Sequence, residues 1–249
     1  MLMKNKMNIP SPVVSYYPIN SCSDCLLSKN CVGSRIKIGS THDSQPRSFR
    51  SFTVRNCEHL YFSGDQSEAL YVVKSGSFKT YIINKGGDEQ VIGFHLAGDV
   101  LNLDALPSGF FQSSAVALET SSVCAIPASY FEHLVKQQAS NWLIGFFLGE
   151  LSHQQQKQCS LGRKSAKRRI AAFLYDLSHD YQALGYSGQQ VKLNMSREDI
   201  GNYLGLASET VSRVLTKMRK EGLFKIDKQN VIIMDLERLC ELADKRECE

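Results

Sequence analysis

Residues Met195 to Met218 read MSREDIGNYLGLASETVSRVLTKM, and this stretch decides the fold of the C-terminal third. Ser196 and Asp199 stand three apart, the spacing of a capping box, so a helix starts here. Ile200 and Leu204 give that helix its buried face. Gly205 supplies the left-handed conformation of a tight turn, with Leu206 packed beneath it. A second helix is expected from Ala207 or Ser208, burying Val211, Val214, Leu215 and Met218. Two short helices about a glycine turn make a helix-turn-helix. Beyond Gly222, the alternation Leu223 to Ile226, a turn at Lys228 to Asn230 and the run Val231 to Met234 predict a hairpin, or wing.

The second helix leaves Ser208, Glu209, Ser212, Arg213 and Thr216 facing outward. That face suits a DNA major groove: arginine donates two hydrogen bonds to guanine, and glutamate accepts from cytosine. Glu209 and Arg213 are i,i+4 neighbours and are expected to steady one another. Arg197 and Lys217 are placed to touch the phosphate backbone. Charge agrees. From Arg163 to Lys225 there are 12 Lys and Arg against 6 Asp and Glu, a net +6 in a chain whose total is +4. A basic C-terminal third is the footprint of nucleic-acid binding. The competing reading is a three-helix packing unit with one surface ion pair, and it leaves the basic charge and the wing without a use.

Upstream, four zones separate by pattern. Residues 1–50 are polar and irregular and carry three cysteines. The zone 51–138 changes to short apolar alternations broken by glycine. Leu70 to Val73, Phe78 to Ile83, Gln90 to Phe94 and Ala115 to Leu118 each read as a strand, with turns such as Gly86-Gly87-Asp88 between them. Short strands at this spacing predict a β-sandwich or jelly roll. Tyr130 to Gln137 fits a short helix. The zone 139–162 is a long helix, Trp142 to Leu161, with Ile144, Phe147, Leu148 and Leu151 at helical spacing and Gln154 and Gln158 continuing the seam. Such a seam serves either a partner helix or the core of its own domain. The zone 163–249 holds the helix-turn-helix, so the whole is α+β.

Hydrophobic residues make up 43% and charged residues 22%, which fits a globular chain. No apolar run approaches the ~20 residues that span a bilayer. Met1 to Pro18 has two lysines but no apolar block behind them, so the expected location is the cytoplasm, without membrane attachment. Thiols stay reduced there, and eight cysteines require a metal, a reactivity or a packing role before a disulfide framework. Cys22, Cys25 and Cys31 form Cys-x₂-Cys-x₅-Cys in a polar loop that cannot bury them. Soft thiolates at this spacing suit zinc or an iron–sulfur cluster. A distant fourth ligand is needed, and Cys57, Cys124 and Cys159 are the candidates. Spacing alone does not separate zinc from iron.

The order of cysteine loop, strand-rich domain, long helix and winged helix-turn-helix resembles the oxygen-sensing branch of the CRP/FNR superfamily of bacterial transcription regulators. The resemblance runs over roughly residues 20 to 240. It rests on Cys22-x₂-Cys25-x₅-Cys31, on Gly93-Phe-His-Leu-Ala-Gly-Asp99 and on Leu118-Glu-Thr-Ser-Ser-Val-Cys124. Asp199-Ile-Gly-Asn-Tyr-Leu-Gly-Leu206, followed by Glu209-x₂-Ser212-Arg213, completes it. It implies a β-roll of the cyclic-nucleotide-binding type as sensor domain, a dimerisation helix and a homodimer. It also implies a [4Fe–4S] cluster on Cys22, Cys25, Cys31 and Cys124, and reading of TTGAT…ATCAA palindromes by Glu209, Ser212 and Arg213. The segment Ser40 to Ser51 departs from relatives, which carry an amphipathic helix there.

Within that superfamily a cyclic-nucleotide regulator would need an arginine to clamp the cyclic phosphate, and none occurs between Arg55 and Arg163. No cyclic nucleotide is therefore expected. The exposed turn around Gly87 and Asp88 is a candidate contact with RNA polymerase, or a plain hairpin turn. Other readings are an iron–sulfur electron-transfer protein, which leaves the helix-turn-helix idle, and a zinc-stabilised or nitric-oxide-sensing regulator of the same fold. Enzyme activity has no support, since no nucleophile–base pattern or phosphate loop is present.

Overall fold

The computed structural model describes residues 22, 25, 27, 31, 32, 49–129, 131, 140–159 and 165–245. Eight strands build the first unit: β1 (Arg50–Val54), β2 (His59–Tyr61), β3 (Ala69–Ser75), β4 (Phe78–Ile83), β5 (Glu89–His95), β6 (Val100–Leu101), β7 (Ser114–Ala117) and β8 (Ser121–Pro127). They form two antiparallel sheets, ordered β1-β8-β3-β6 and β2-β7-β4-β5. Val54, Val73, Leu101 and Val123 from one sheet meet Phe78, Ala115 and Ala117 from the other in a shared core. Two sheets packed face to face in this way are the roll that the short alternating strands predict.

The four strands expected from alternation lie within β3, β4, β5 and, to within a residue, β7. Strand β8 was not expected, although it is the spine of its sheet. It pairs with both β1 and β3, so that Cys124 stands opposite Ser51 on one side and Val72 on the other. Val123 points into the space between the sheets, and Cys124 and Ile126 point to the outer face. A layer of Leu70, Val72, Val100 and Ile126 forms on that outer face, covered by Val32, Phe49 and Phe131. Phe49 and Arg50 show that the chain enters β1 just where the segment without an amphipathic pattern ends. The helix expected over 130–137 lies outside the described residues apart from Phe131, which is buried.

Helix α1 (Ser140–Cys159) follows. Ile144, Leu148 and Leu151 are 52–57% exposed, an apolar row left uncovered in the single chain. Phe146 and Phe147 are set apart from that row and pack on the outer layer of the roll. Phe147, expected in the seam, therefore serves to seat the helix on its own domain. The side chains of Trp142 and Gln158 lie outside what is described.

The last unit contains α2 (Ala166–Ala183), β9 (Gln190–Lys192), α3 (Arg197–Leu204), α4 (Ser208–Lys220), β10 (Phe224–Asp227), β11 (Asn230–Ile233) and α5 (Leu236–Ala243). The hairpin β10–β11 extends onto β9 to make a three-stranded sheet. Ile170, Leu174, Ile200, Leu215, Met218, Leu223 and Leu239 are nearly inaccessible and hold the helices around it. Cys240 in α5 is buried and disulfide-bonded, against the expectation that every thiol of the chain is reduced. Among the described residues no helix is long and apolar enough to cross a membrane.

Candidate DNA-binding face and thiol group

Helix α3 begins as its sequence predicts. Ser196 Oγ accepts the Asp199 N–H at 2.9 Å, and Asp199 Oδ2 in return accepts the Ser196 N–H at 3.1 Å, a closed capping box. The helix ends at Gly205, whose φ of 63° is left-handed. Its last carbonyls are covered by Arg169, whose Nη1 donates to Leu204 O at 2.9 Å and places a cation at the negative end of the helix. Gly201 permits a second close approach: a Cβ there would stand 2.5 Å from the Leu206 carbonyl oxygen. The turn can therefore fold tightly against α3, and α4 leaves it at a fixed angle.

On α4, Val211, Leu215 and Met218 are fully buried, and Val214 is half-buried rather than enclosed. All seven residues expected to meet DNA line one open concave face: Arg197, Ser208, Glu209, Ser212, Arg213, Thr216 and Lys217. Glu198 and Lys220 complete it, so four cations share the face with two carboxylates. The expected Glu209–Arg213 contact does not form. Arg213 Nη2 instead donates to Thr210 Oγ1 at 3.4 Å. Arg197 is half-buried, and its Nη1 is enclosed without a hydrogen-bond partner. Thr216 Oγ1 returns its proton to Ser212 O, 2.8 Å away within the helix.

The thiols gather on the outer face of the roll. Cys22 and Cys31 pack with Cys124 against the layer containing Val32, Leu70, Val72 and Ile126. Within the loop, the Cys25 N–H points to Cys22 O at 3.4 Å and the Cys31 N–H donates to Leu27 O at 2.8 Å, folding the loop back on itself. All four of these cysteines are free thiols of intermediate burial. Burial pushes the Cys124 thiol up to about 11, offset in part by Lys74 and reinforced by the neighbouring Cys31 and Cys25. A thiol whose ionisation is opposed both by burial and by two neighbouring thiols is one that a cationic centre would relieve. Among the described residues no three Cys, His, Asp or Glu side chains converge tightly enough to enclose a single metal ion. Cys57, the exposed extra thiol, lies in the β1–β2 turn and is no part of this group.

The turn bearing Gly87 and Asp88 is an ordinary hairpin connection between β4 and β5. Asn84 Oδ1 accepts the N–H groups of Gly86 and Asp88 at 2.8 and 3.0 Å, and its Nδ2 donates to Asp88 Oδ2. The turn stands exposed. A cavity of about 590 Å³ opens elsewhere, between β5, β6, α1 and α2. Asp99, Asp104, Glu150, Asp176 and Asp180 line it with His95, and among the described residues neither lysine nor arginine does, although Lys245 pairs with Asp176 at 2.6 Å.

Roll, long helix and winged helix-turn-helix in this order define a transcription regulator of the Crp type. Residues 52–138 match the cyclic nucleotide-binding domain, and residues 168–242 match the Crp-like helix-turn-helix domain. The chain belongs to the CRP/FNR family of transcription regulators. It is 36% identical over 224 residues to the fumarate and nitrate reduction regulatory protein of Escherichia coli K12, covering 89% of this chain and 90% of that one. It is 38% identical over 228 residues to the transcriptional activator protein anr of Pseudomonas aeruginosa, covering 91% and 93%. Among solved structures, FixK2 from Bradyrhizobium japonicum superposes with a TM-score of 0.70 at 31% identity, over 79% of this chain and 98% of that one.

Proposed function

We propose that this protein is an oxygen-responsive cytoplasmic regulator that binds TTGAT-type palindromes as a homodimer while Cys22, Cys25, Cys31 and Cys124 hold a [4Fe–4S] cluster. One observation carries the reading: the thiols and the dimer-side helix share a single apolar layer. Cys22, Cys31 and Cys124 pack on the same outer face of the roll as Phe146 and Phe147 of α1. A change at the thiols is therefore felt where α1 is seated, and α1 presents Ile144, Leu148 and Leu151 to a second copy. The cluster supplies the oxygen-labile link between the N-terminal loop and β8. Four soft thiolates are the donor set it takes.

On the DNA side, Glu209, Ser212 and Arg213 read base edges while Arg197, Ser208 and Lys217 set the backbone register. Arg197, at the start of α3, and Lys217 both line that face, where their charge suits a phosphate. Two such faces about one helical turn apart meet the two halves of a palindrome. The exposed Gly87–Asp88 turn is available to RNA polymerase under the same reading. Cyclic-nucleotide control is disfavoured by the lining of the 590 Å³ cavity, where the described residues include five carboxylates and no arginine to clamp a phosphate.

Anaerobic purification followed by iron and sulfide analysis, a visible spectrum and DNA binding before and after air exposure tests the proposal. Expected are four irons per chain, a brown chromophore, and tight palindrome binding that is lost in air. Zinc in place of iron, or binding indifferent to air, would overturn the sensing role. An intact cluster with no palindrome binding would point to electron transfer instead.

A further inference from the structure

The roll and the helix-turn-helix are joined by a polar clasp that none of the functions above requires. Among the described strands β5 is the edge of its sheet, and its outer N–H and C=O groups meet no strand there. Asn202 of α3 fills that vacancy. Its Oδ1 accepts the Val91 N–H at 2.7 Å, and its Nδ2 donates to Glu89 O at 2.7 Å. One amide side chain thus substitutes for a residue of the missing strand. Gln90 Nε2 donates in turn to Asn202 O at 3.1 Å. One turn earlier on α3, Asp199 Oδ1 is 2.6 Å from Lys79 Nζ of β4, and Lys79 also reaches Glu89 at 2.7 Å. Beneath these bonds Phe94 of β5 meets Tyr203 and Phe173 edge-on, at 5.2 and 5.8 Å between centroids.

The clasp grips α3 on the side away from DNA. Arg197 and Glu198, at the start of the same helix, line the DNA-binding face. Asp199 and Asn202 turn toward the roll. Since Gly201 lets α3 lock against the turn before α4, whatever holds α3 also aims the recognition helix. Glu209, Ser212 and Arg213 remain exposed with the clasp closed, so the docked arrangement is open to DNA.

We infer that Lys79 and Asn202 are positioning residues for DNA readout, fixing the recognition helix to the roll and so setting the spacing between the half-sites that a dimer accepts. They touch no base or phosphate and act through α3. The inference rests on the palindrome-binding reading. Its distinguishing consequence is a preference for spacer length, which folding stability alone would not alter.

The test uses the full-length anaerobic dimer with Lys79→Met, Asn202→Ala and the conservative Lys79→Arg. Affinity is measured at fixed salt for a palindrome with its native spacer and for spacers one and two base pairs longer or shorter, beside thermal melts. Lys79→Met and Asn202→Ala should bind the native spacer about tenfold more weakly, the effect of losing one or two partly exposed polar contacts per protomer. The altered spacers should lose much less, so discrimination shrinks. Lys79→Arg should restore it. Equal losses on every spacer would overturn the inference and leave the clasp a stability feature. Tighter binding by the variants would overturn it too, because the docked state would then be the one that hinders DNA. A wild-type protein indifferent to the palindrome would fail the underlying DNA reading before the spacing question arises.

Discussion

Arg213 gives its guanidinium to Thr210 at 3.4 Å and forms no ion pair with Glu209 one turn before it. The long contact to a neutral hydroxyl holds the arginine loosely, and most of its five donors remain unspent. Glu209 keeps its carboxylate for an external donor. Both charged side chains are thus uncommitted, and neither would have to break a salt bridge before meeting DNA. Arg213→Ala should cost about 1–3 kcal/mol per half-site and relax preference at the guanine it contacts, whereas Lys217→Ala should weaken all sequences alike and lower the salt slope by about 1. Titration against the palindrome and a G-to-A variant separates the two. Equal weakening of both sites by Arg213→Ala would make Arg213 a backbone contact.

Replacing Cys124 by serine should remove the fourth thiolate from the roll while keeping the fold, because Cys124 lies on the outer face of β8 and not between the sheets. The expected protein binds no stable cluster and behaves as the air-exposed form does. Cys57→Ser should be silent, since the Cys57 thiol is exposed and its one hydrogen bond is a 3.5 Å contact to the adjacent Asn56. Iron and sulfide content after anaerobic reconstitution decides both. Four irons retained in Cys124→Ser would exclude it as a ligand.

The helix-turn-helix was readable residue by residue because its signals are local: a cap, a glycine at positive φ and an apolar face at helical spacing. Strands β4 and β5 were readable because exposed and buried positions mix along them, and β3 because its apolar run Leu70-Tyr71-Val72-Val73 is unbroken although both its faces are covered. Strand β8 was not. Its two faces are covered, one by the opposite sheet and one by the cysteine layer, so Ser121 to Pro127 lacks the wet-and-dry rhythm, and its two serines and its proline read as a loop. The clasp was invisible too, because Lys79 and Asn202 are 123 positions apart and each reads as an ordinary polar surface residue. Glu209 and Arg213 show the opposite failure: i,i+4 spacing permits a pair, but the rotamers adopted do not make one.

Leu148→Ala should weaken the dimer. Leu148 is 57% exposed between Ile144 and Leu151, and a second copy would bury all three. Truncation removes part of the ~1.5–3 kcal/mol carried by a fully buried leucine, and does so twice in a symmetric pair. Sedimentation of the anaerobic protein should show a dimer dissociation constant raised about tenfold or more. Phe147→Ala should act differently, lowering the thermal stability of the roll as well, because Phe147 packs on its own domain. An unchanged dimer in Leu148→Ala would move the interface off this row.

Gly201→Ala should damage the DNA-binding unit more than its mild chemistry suggests. The new methyl would press on the Leu206 carbonyl at 2.5 Å, and that oxygen belongs to the backbone, which cannot swing aside as a flexible side chain would. Overpacking of this kind costs about 1–3 kcal/mol. At Gly205 the problem is φ, not space, so Gly205→Asn should be tolerated better than Gly205→Ala. Thermal melts of the three variants, followed by palindrome binding, rank them. A Gly201→Ala protein melting with wild type would show that the turn yields freely.

The clasp should be insensitive to pH across the physiological range. Burial by itself would raise Asp199, but the bond from Lys79 and the Ser196 hydroxyl hold it below its ordinary 3.8. Burial would lower Lys79, and its bonds to Asp199 and Glu89 carry it above 10.5 instead. A depressed carboxylate contributes stability above its unfolded value and loses it as pH falls through the folded one. A raised ammonium contributes below its unfolded value and loses it as pH rises through the folded one. Both contributions are therefore complete from about pH 5 to about pH 9. His59 couples to Lys79 but is lowered by burial, so it adds no charge above 6.5. The stability gap between wild type and Lys79→Met, about 1 kcal/mol for a pair this partly buried, should stay level over that range and close below pH 3.8. Chemical denaturation of both proteins at a series of pH values measures it, and a step near neutrality would show that a group other than this pair governs the contact.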